Sequence, residues 1–146
     1  RELLELCNTF LDFCLSIGDV KRLYTAGGSL NEMATGEPRV VGVATKPQLK
    51  GLLESSNVDT LGSEFTTITW FNGLILGMAS DRNIEGIGFY GEISDKSLPQ
   101  PLAAKSIVKA FAKIEHLSLS TKQFDVQYEE VLDHIERNKG MKNLDQ

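Results

Sequence analysis

The feature that most constrains this chain is the alternation of short β-branched runs with amphipathic stretches of helical periodicity. Strands are predicted at residues 20–26, 39–44, 64–69 and 86–93. Helices are predicted at residues 2–17, 47–54, 70–82, 102–117 and 123–137. Because helices that alternate with strands form right-handed crossovers, this order predicts an α/β fold of three α/β/α layers with a mostly parallel sheet, ending in two helices.

The boundaries of these elements are predicted from glycine, proline and capping residues. Gly18 is expected to end the first helix in a left-handed conformation. The Gly27-Gly28 pair is expected to end the first strand, followed by a polar loop over residues 29–38. Thr45 is expected to cap the second helix, which has Pro47 in its first turn.

Glycines inside predicted elements indicate close packing. Gly73 and Gly77 are four residues apart on one face of the third helix, and each costs about 1 kcal/mol relative to alanine. We therefore expect another backbone to approach that face closely. Gly88 and Gly91 in the last strand likewise indicate that neighbouring groups occupy the space of a side chain.

Charge and hydropathy argue against two classes of partner. The 146 residues include 15 Lys and Arg and 20 Asp and Glu, which gives a net charge of -5. The longest basic run is Lys21-Arg22, so neither nucleic acid nor an anionic membrane is an expected partner. The apolar stretch at residues 73–79 is far shorter than the roughly 20 residues of a membrane span. Length and composition predict a single domain over residues 1–146.

The predicted N-terminal helix gives two indications of the protein's context. Cys7 and Cys14 are seven residues apart, about 10 Å along the helix axis, which is too far for a disulfide. We expect both to be reduced core residues of a cytoplasmic protein. The chain begins with Arg1 and is periodic from the first turn, so we expect an N-terminal segment upstream.

Catalytic or metal-binding patterns do not stand out in the sequence. His116 and His134 lack regularly spaced cysteine, histidine or carboxylate partners of a metal site. The serines and threonines lack a nucleophile motif such as G-x-S-x-G. We therefore predict no metal, no cofactor and no catalytic residue, and an enzyme is the less favoured interpretation.

Two glycine-containing segments are candidates for ligand binding. Gly27 and Gly28 follow a strand, and Asn72 and Gly73 begin a helix, so backbone N–H groups can meet a ligand there. Neither segment has the G-x-G-x-x-G pattern of a dinucleotide site or the lysine of a phosphate loop. Tight turns and close packing are the favoured explanation, and ligand binding is the alternative.

The last predicted helix has an apolar stripe beside a charged face. The stripe consists of Phe124, Tyr128, Val131, Leu132 and Ile135. Such a stripe faces either the protein's own core or a neighbouring subunit, and the pattern alone does not choose. Since closed homo-oligomers hide such surface, we predict self-association, with this stripe as the candidate interface.

Five segments occur in the same order as in a known family and cover nearly the whole chain. They are Leu-Tyr-Thr-Ala-Gly-Gly at 23–28, Pro-Arg-Val-Val-Gly-Val-Ala-Thr at 38–45, Phe-Asn-Gly-Leu-Ile-Leu-Gly at 71–77, Gly-Ile-Gly-Phe-Tyr-Gly-Glu at 86–92 and Pro-Leu-Ala-Ala-Lys at 101–105. Together they resemble the archaeal members of the proteasome assembly chaperone family. The match corresponds to the C-terminal part of the family's domain.

The resemblance implies a phosphorylase-like α/β/α domain and a non-catalytic function through protein–protein contacts. It implies proteasome α subunits as partners and homo-oligomers as the acting form. Because archaeal relatives are also labelled as related to ATP-grasp enzymes, a nucleotide- or small-molecule-binding enzyme is the alternative. The tail Leu144-Asp145-Gln146 has Asp where some family members dock through Tyr, so docking through the tail is not expected.

Overall fold

The computed structural model describes residues 1–33, 35–60 and 70–144, with side chains over 1–33, 35–60 and 71–138. Its elements are α1 (Glu2–Ile17), β1 (Arg22–Leu30), β2 (Val40–Ala44), α2 (Pro47–Ser55), β3 (Asp59–Thr60), α3 (Trp70–Asp81), β4 (Glu85–Ile93), α4 (Pro101–Ile114) and α5 (Lys122–Leu144). The predicted α/β class and the two final helices are confirmed. The strand predicted at residues 64–69 lies outside the described residues. None of the described helices is long and apolar enough to cross a membrane.

The described strands form one four-stranded sheet in the order β1-β4-β2-β3. β2 and β3 are parallel, with Val41 beside Asp59. The backbone N–H of Thr45, directly after β2, donates to the carbonyl of Gly86 at the start of β4, so these two strands run in opposite directions. The sheet is therefore mixed, and β3 is a short strand that the sequence pattern did not predict.

The described chain groups into two compact units. Unit 1 consists of Arg1–Gly27 and Val40–Tyr90, and unit 2 consists of Gly28–Arg39 and Gly91–Gln146. The single-domain organisation of residues 1–146 stays a prediction.

Unit 1 has an apolar core between α1 and α3. Its buried members are Cys7, Leu11, Ile75, Ala79 and Ile84. At the surface of this packing, Arg82 donates to Asp12 and Asn8 at 2.7 and 2.8 Å. The periodicity of α1 thus correctly predicted a helix. Both cysteines are free thiols, but only Cys7 is a buried core residue and Cys14 is half-buried.

Unit 2 is built around α4, which packs against α5 and against the end of β4. A Cβ atom at Gly91 would lie 3.0 Å from the carbonyl oxygen of Ala103, so α4 approaches the strand at a position where only glycine leaves room. Lys105 pairs with Asp125 between the two helices. The expectation of close packing at Gly91 is confirmed.

Two boundary predictions around the first helix and strand are wrong. Gly18 has φ 173° and ψ 179°, which is extended backbone and not a left-handed conformation. β1 does not end at Gly27-Gly28 but continues to Leu30, so the start of the predicted loop is strand. The reason is pairing with β4, because the N–H of Asn31 donates to the carbonyl of Ile93 at 2.8 Å.

The predicted cap of α2 is also wrong. The N-cap residue is Lys46, which has extended backbone and no side-chain capping bond, and Pro47 is the first helical residue. The hydroxyl of Thr45 instead accepts a hydrogen bond from the N–H of Gly86 at 2.9 Å. Pairing with β4 has therefore drawn the Thr45 hydroxyl away from the helix end.

The close approach predicted at Gly77 does not occur within the described residues. Gly77 is exposed, and a Cβ atom there would meet no atom within 4 Å. α3 buries Ile75, Leu76 and Ala79, which lie on its other side. The helix packs through these side chains, so Gly77 is turned away from the core.

Candidate functional site

Two of the predicted ligand-binding residues, Gly27 and Asn72, are neighbours in unit 1. The Asn72 Nδ2 group donates to the carbonyl of Ala26 at 2.9 Å. A Cβ atom at Gly27 would lie 3.2 Å from that same nitrogen and from the ring of Tyr90. The glycine therefore allows α3 to be tied to β1 by a side-chain bond, which agrees with the packing explanation. A ligand-binding role for this pair stays a prediction.

The other two predicted ligand-binding residues are not part of this contact. Gly73 follows Asn72 on α3 and is half-buried. Gly28 belongs to unit 2, where a Cβ atom would lie 2.8 Å from Cδ1 of Ile93. Packing against Ile93 accounts for the small residue at Gly28, and ligand binding there also stays a prediction.

Two buried hydroxyl groups lie close to the Gly27 contact. Thr25 Oγ1 and the Tyr90 hydroxyl have no hydrogen-bond partner of good geometry within the part of the chain that the structure describes. Burial raises the pKa of Tyr90, and the nearby Thr25 hydroxyl opposes that rise. A phenol with a raised pKa is neutral at physiological pH. It can donate or accept a hydrogen bond but cannot act as a base there.

The histidines do not form a metal site in the described residues. His116 follows α4 with a positive φ of 53°, and His134 on α5 lies 3.0 Å from the side-chain nitrogen of Asn138. No group of three or more histidine, cysteine or carboxylate side chains suited to a metal occurs over the ranges with described side chains.

Unit 1 has a cavity of about 490 Å³ at the carboxyl ends of the parallel strands β2 and β3. Thr45, Lys46, Lys50 and Thr60 are among its lining residues. Open sheets commonly bind ligands at the carboxyl ends of parallel strands, and lysines favour anionic ones. Sequence reasoning missed this location because β3 was not predicted.

The predicted interface stripe on α5 mainly faces its own unit. Phe124, Tyr128, Val131 and Ile135 are half-buried, whereas Leu132 is 36% exposed. Because α5 packs against α4, the own-core alternative accounts for most of this stripe. Contact with a second subunit stays a prediction.

The same stripe borders two cavities, which we call the unit 2 groove. The first has a volume of about 660 Å³ and lies between residues 97–101 and the α5 residues Gln127, Glu130, Val131 and His134. The second, of about 320 Å³, shares Val131 and residues 98–101 with the first and adds Tyr128, Leu132 and Ile135. In the sequence, this groove corresponds to the segment Leu98-Pro99-Gln100-Pro101, which lies before two amphipathic helices.

Three carboxylates line the unit 2 groove, namely Glu92, Asp95 and Glu130. Glu92 accepts hydrogen bonds from Asn31 at 2.6 Å and from Arg39 at 3.3 Å, and these bonds lower its pKa. Asp95 accepts from the backbone N–H and the hydroxyl of Ser97, which lowers its pKa. Among the described side chains, neither cavity is lined by a Lys or Arg. The groove therefore combines apolar walls with negative charge.

Comparison with known proteins identifies the family. The model of the PAC2 family matches residues 2–139. The chain belongs to the PAC2 family. This result confirms the family resemblance found in the sequence segments. No curated protein matches the chain at a significant level of sequence similarity.

Solved structures support the PAC2 fold. The Pyrococcus furiosus protein PbaB, described as an archaeal proteasome activator, is 26% identical with a TM-score of 0.82, covering 94% of this chain and 58% of PbaB. PbaA of the same organism, described as an archaeal homolog of proteasome-assembly chaperone, is 20% identical with a TM-score of 0.84, covering 97% of this chain and 58% of PbaA. A PAC2 family protein from Streptomyces avermitilis is 14% identical with a TM-score of 0.73, covering 92% of this chain and 56% of its own.

The comparisons also give the share of each solved structure that this chain covers. The chain spans a little over half the length of the solved PAC2 structures that it matches. The likeness to PbaA and to the Streptomyces protein shows the fold.

Proposed function

We propose that this PAC2 chain belongs to a non-catalytic binding protein that acts on proteasome subunits through protein–protein contacts. The observation that carries the proposal is the similarity to PbaB, an archaeal proteasome activator, at 26% identity over 94% of this chain. The match of the PAC2 family model to residues 2–139 supports it. The α subunits are the proposed partners, because the family resemblance implies them.

Binding to proteasome α subunits tests this function directly. The full-length protein is mixed with α subunits of its own organism, and the complexes are separated by native electrophoresis and sized by light scattering. We expect a complex that contains both proteins and forms without added nucleotide. If the two proteins migrate separately at concentrations up to about 100 µM, corresponding to weak binding of less than roughly 6 kcal/mol, the proposal is wrong.

The alternative, a nucleotide- or small-molecule-binding enzyme, predicts a different result. A ligand at one hundred times its dissociation constant stabilises the native state by about 2.7 kcal/mol. A thermal-shift screen with nucleotides and phosphate, repeated on Lys46→Ala in the unit 1 cavity, measures this effect. We expect no shift of melting temperature. A shift of several degrees that Lys46→Ala abolishes would favour the alternative, a ligand-binding enzyme related to the ATP-grasp enzymes.

Self-association in the cytoplasm is a further part of the proposal. Leu132 is the member of the α5 stripe that is most available to a second copy, because it is 36% exposed. We expect light scattering of the full-length protein to give a mass above that of one chain, and Leu132→Asp to lower it. A monomeric mass for the parent at micromolar concentration contradicts self-association.

The finer fold assignment is also a proposal. We propose a single, phosphorylase-like α/β/α domain with a mostly parallel sheet, of which this chain is the C-terminal part. The parallel pairing of β2 with β3 supports it, and the N–H of Glu85 donates to the carbonyl of Lys21, as expected if β1 and β4 start side by side. An experimental structure of the full-length protein tests the strand directions and the number of domains.

A further inference from the structure

We infer that the unit 2 groove binds a protein segment that presents large apolar side chains next to lysine or arginine. The inference rests on the proposed protein-binding function and adds a location and a partner chemistry to it. Its basis is the combination of two adjoining cavities, an apolar lining and acidic groups, with no cation among the lining residues that the structure describes.

The apolar part of the recognition comes from the proline-bounded loop and α5. Leu98, Pro99 and Pro101 line both cavities, and Val131 faces them from α5. Proline fixes its own backbone angle, so this wall loses little conformational freedom when a partner binds. A volume of about 660 Å³ is within the range of pockets that hold ligands of several apolar groups. The groove can therefore accept more than one large side chain of a segment.

The charge of the partner follows from the carboxylates. Glu92 is already balanced by Arg39, whereas the bonds that the structure shows for the Asp95 carboxylate come from the neutral backbone N–H and hydroxyl of Ser97. Glu130 stands exposed at the edge of the larger cavity. Two carboxylates at the edge of an apolar groove favour a partner with positive charge and disfavour an acidic one.

The same charges make a second copy of this chain the weaker occupant of the groove, although Leu132, which lines the smaller cavity, is the residue proposed above for self-association. The sequence of α5 has five carboxylates and four cations, so the charge preference comes from the whole chain, whose net charge is -5. A second copy of this chain brings more carboxylates than cations to Asp95 and Glu130. Like charges across an interface are unfavourable, so a basic segment of another protein is the better match.

Three fluorescent peptides of twelve residues test this chemistry on the full-length protein. The first alternates Leu and Phe with Lys, the second has Glu in place of Lys, and the third keeps Lys but has Ser in place of Leu and Phe. We expect fluorescence anisotropy to show at least tenfold tighter binding of the first peptide than of either other. Equal binding of the first and second peptides contradicts the role of charge, and equal binding of the first and third contradicts the apolar groove.

A matched pair of charge reversals locates the site. Glu130→Lys changes an exposed carboxylate that lines the groove, whereas Glu129→Lys makes the same change of net charge at a neighbour that does not line it. We expect Glu130→Lys to weaken the first peptide about fivefold and Glu129→Lys by less than about twofold. Equal weakening by both variants would show that only the net charge matters and would overturn the inference.

A space-filling variant provides a second, independent measurement. Ala104 lines the larger cavity, so Ala104→Trp should fill it and abolish binding of the first peptide while circular dichroism stays that of the parent. Full binding by a folded Ala104→Trp overturns the inference. If instead no peptide binds the parent and Glu130→Lys changes its mass in light scattering, the groove holds a second copy and the inference is wrong.

The outcomes separate this inference from the proposed function. If α subunits bind the parent and Glu130→Lys equally well and no peptide binds, the groove inference fails and the proposed function stands. If the first peptide binds at the groove but α subunits do not bind the protein, the groove inference stands and the choice of partner fails.

Discussion

α1 in unit 1 and α5 in unit 2 are both amphipathic helices, but their apolar residues meet different surroundings. α1 buries Cys7 and Leu11 against α3 and leaves a second apolar stripe exposed. The members of that stripe, with exposures between 36% and 69%, are Leu3, Leu6, Phe10, Phe13 and Ile17. α5 instead has one apolar stripe, mostly half-buried, beside a groove with acidic residues.

This difference shows that sequence periodicity predicts a helix but does not predict how much of the helix's apolar surface is buried. The exposed residues of α1 are spaced by three and four positions, which is the spacing of a helix face that packs against a partner. The buried residues of α1 have the same spacing. Only packing against α3 distinguishes the two stripes, and five predictions test where burial determines stability.

The largest expected effect is in the core of unit 1. Leu11 is 1% exposed, so Leu11→Ala removes a buried side chain and leaves a cavity. We expect it to lower the free energy of unfolding by about 2–5 kcal/mol in denaturant melts followed by circular dichroism. A loss below about 1 kcal/mol would show that α1 is not firmly packed on α3.

The matched control is on the second stripe of α1. Phe13 is 60% exposed, so Phe13→Ser should change the free energy of unfolding by less than about 0.5 kcal/mol. A loss of more than about 1 kcal/mol in the full-length protein would mean that this stripe is covered there. α1 would then not have an exposed apolar stripe, and the difference between α1 and α5 described above would not exist.

A smaller effect is expected for the partly buried carboxylate of Glu92 in unit 2. Hydrogen bonds from Asn31 and Arg39 lower the pKa of Glu92, whose side chain is 12% exposed. A carboxylate with a lowered pKa contributes stability above its ordinary pKa of 4.5, and this contribution disappears as the pH falls through the folded-state pKa. Glu92→Gln should therefore cost about 1–2 kcal/mol at pH 7 and less at pH 3.

The measurement for Glu92 is the difference in free energy of unfolding between parent and variant at both pH values. Glu129→Gln, which changes an exposed carboxylate, serves as the control and should have little effect at either pH. A difference at pH 3 as large as at pH 7 would mean that the charge of Glu92 is not what stabilises unit 2.

Substitution of Gly88 tests how tightly β4 is packed in unit 1. A Cβ atom there would lie 2.8 Å from Cγ2 of Val43 and 3.0 Å from Cδ1 of Leu76. Because these side chains would have to move, Gly88→Ala should destabilise the protein by about 1–2 kcal/mol. This cost exceeds the stabilisation that alanine gives by lowering the entropy of the unfolded chain. An unchanged midpoint in urea would contradict close packing at this strand.

Substitution of Gly77 is expected to have a small effect of the opposite sign. It lies in the interior of α3, is exposed, and has open space around its Cβ position among the described residues. Gly77→Ala should therefore stabilise the protein by about 0.5–1 kcal/mol through helix propensity. Destabilisation in the full-length protein would mean that another segment approaches this face, as the sequence alone had suggested.

The order and type of most elements could be predicted from the amino-acid sequence alone. α1 has the predicted bounds, β4 starts one residue from its predicted start, and the close approach at Gly91 follows from the missing side chain. These features depend on local periodicity and on the size of single residues, which can be read without knowing the neighbours in space. The resemblance of five short segments also pointed to the family, because their order is a property of the sequence.

Other features depend on contacts between residues that are far apart in the sequence, and only the tertiary structure shows them. β1 extends through its glycines because Asn31 bonds to Ile93, and Thr45 leaves the helix end because Gly86 offers a donor. Gly77 is exposed because α3 packs through another face. The groove beside α5 exists only where loop 97–101 meets that helix. Each of these results from long-range pairing or packing, and such contacts override local preference because they bury more surface and satisfy more backbone groups than a turn or cap does.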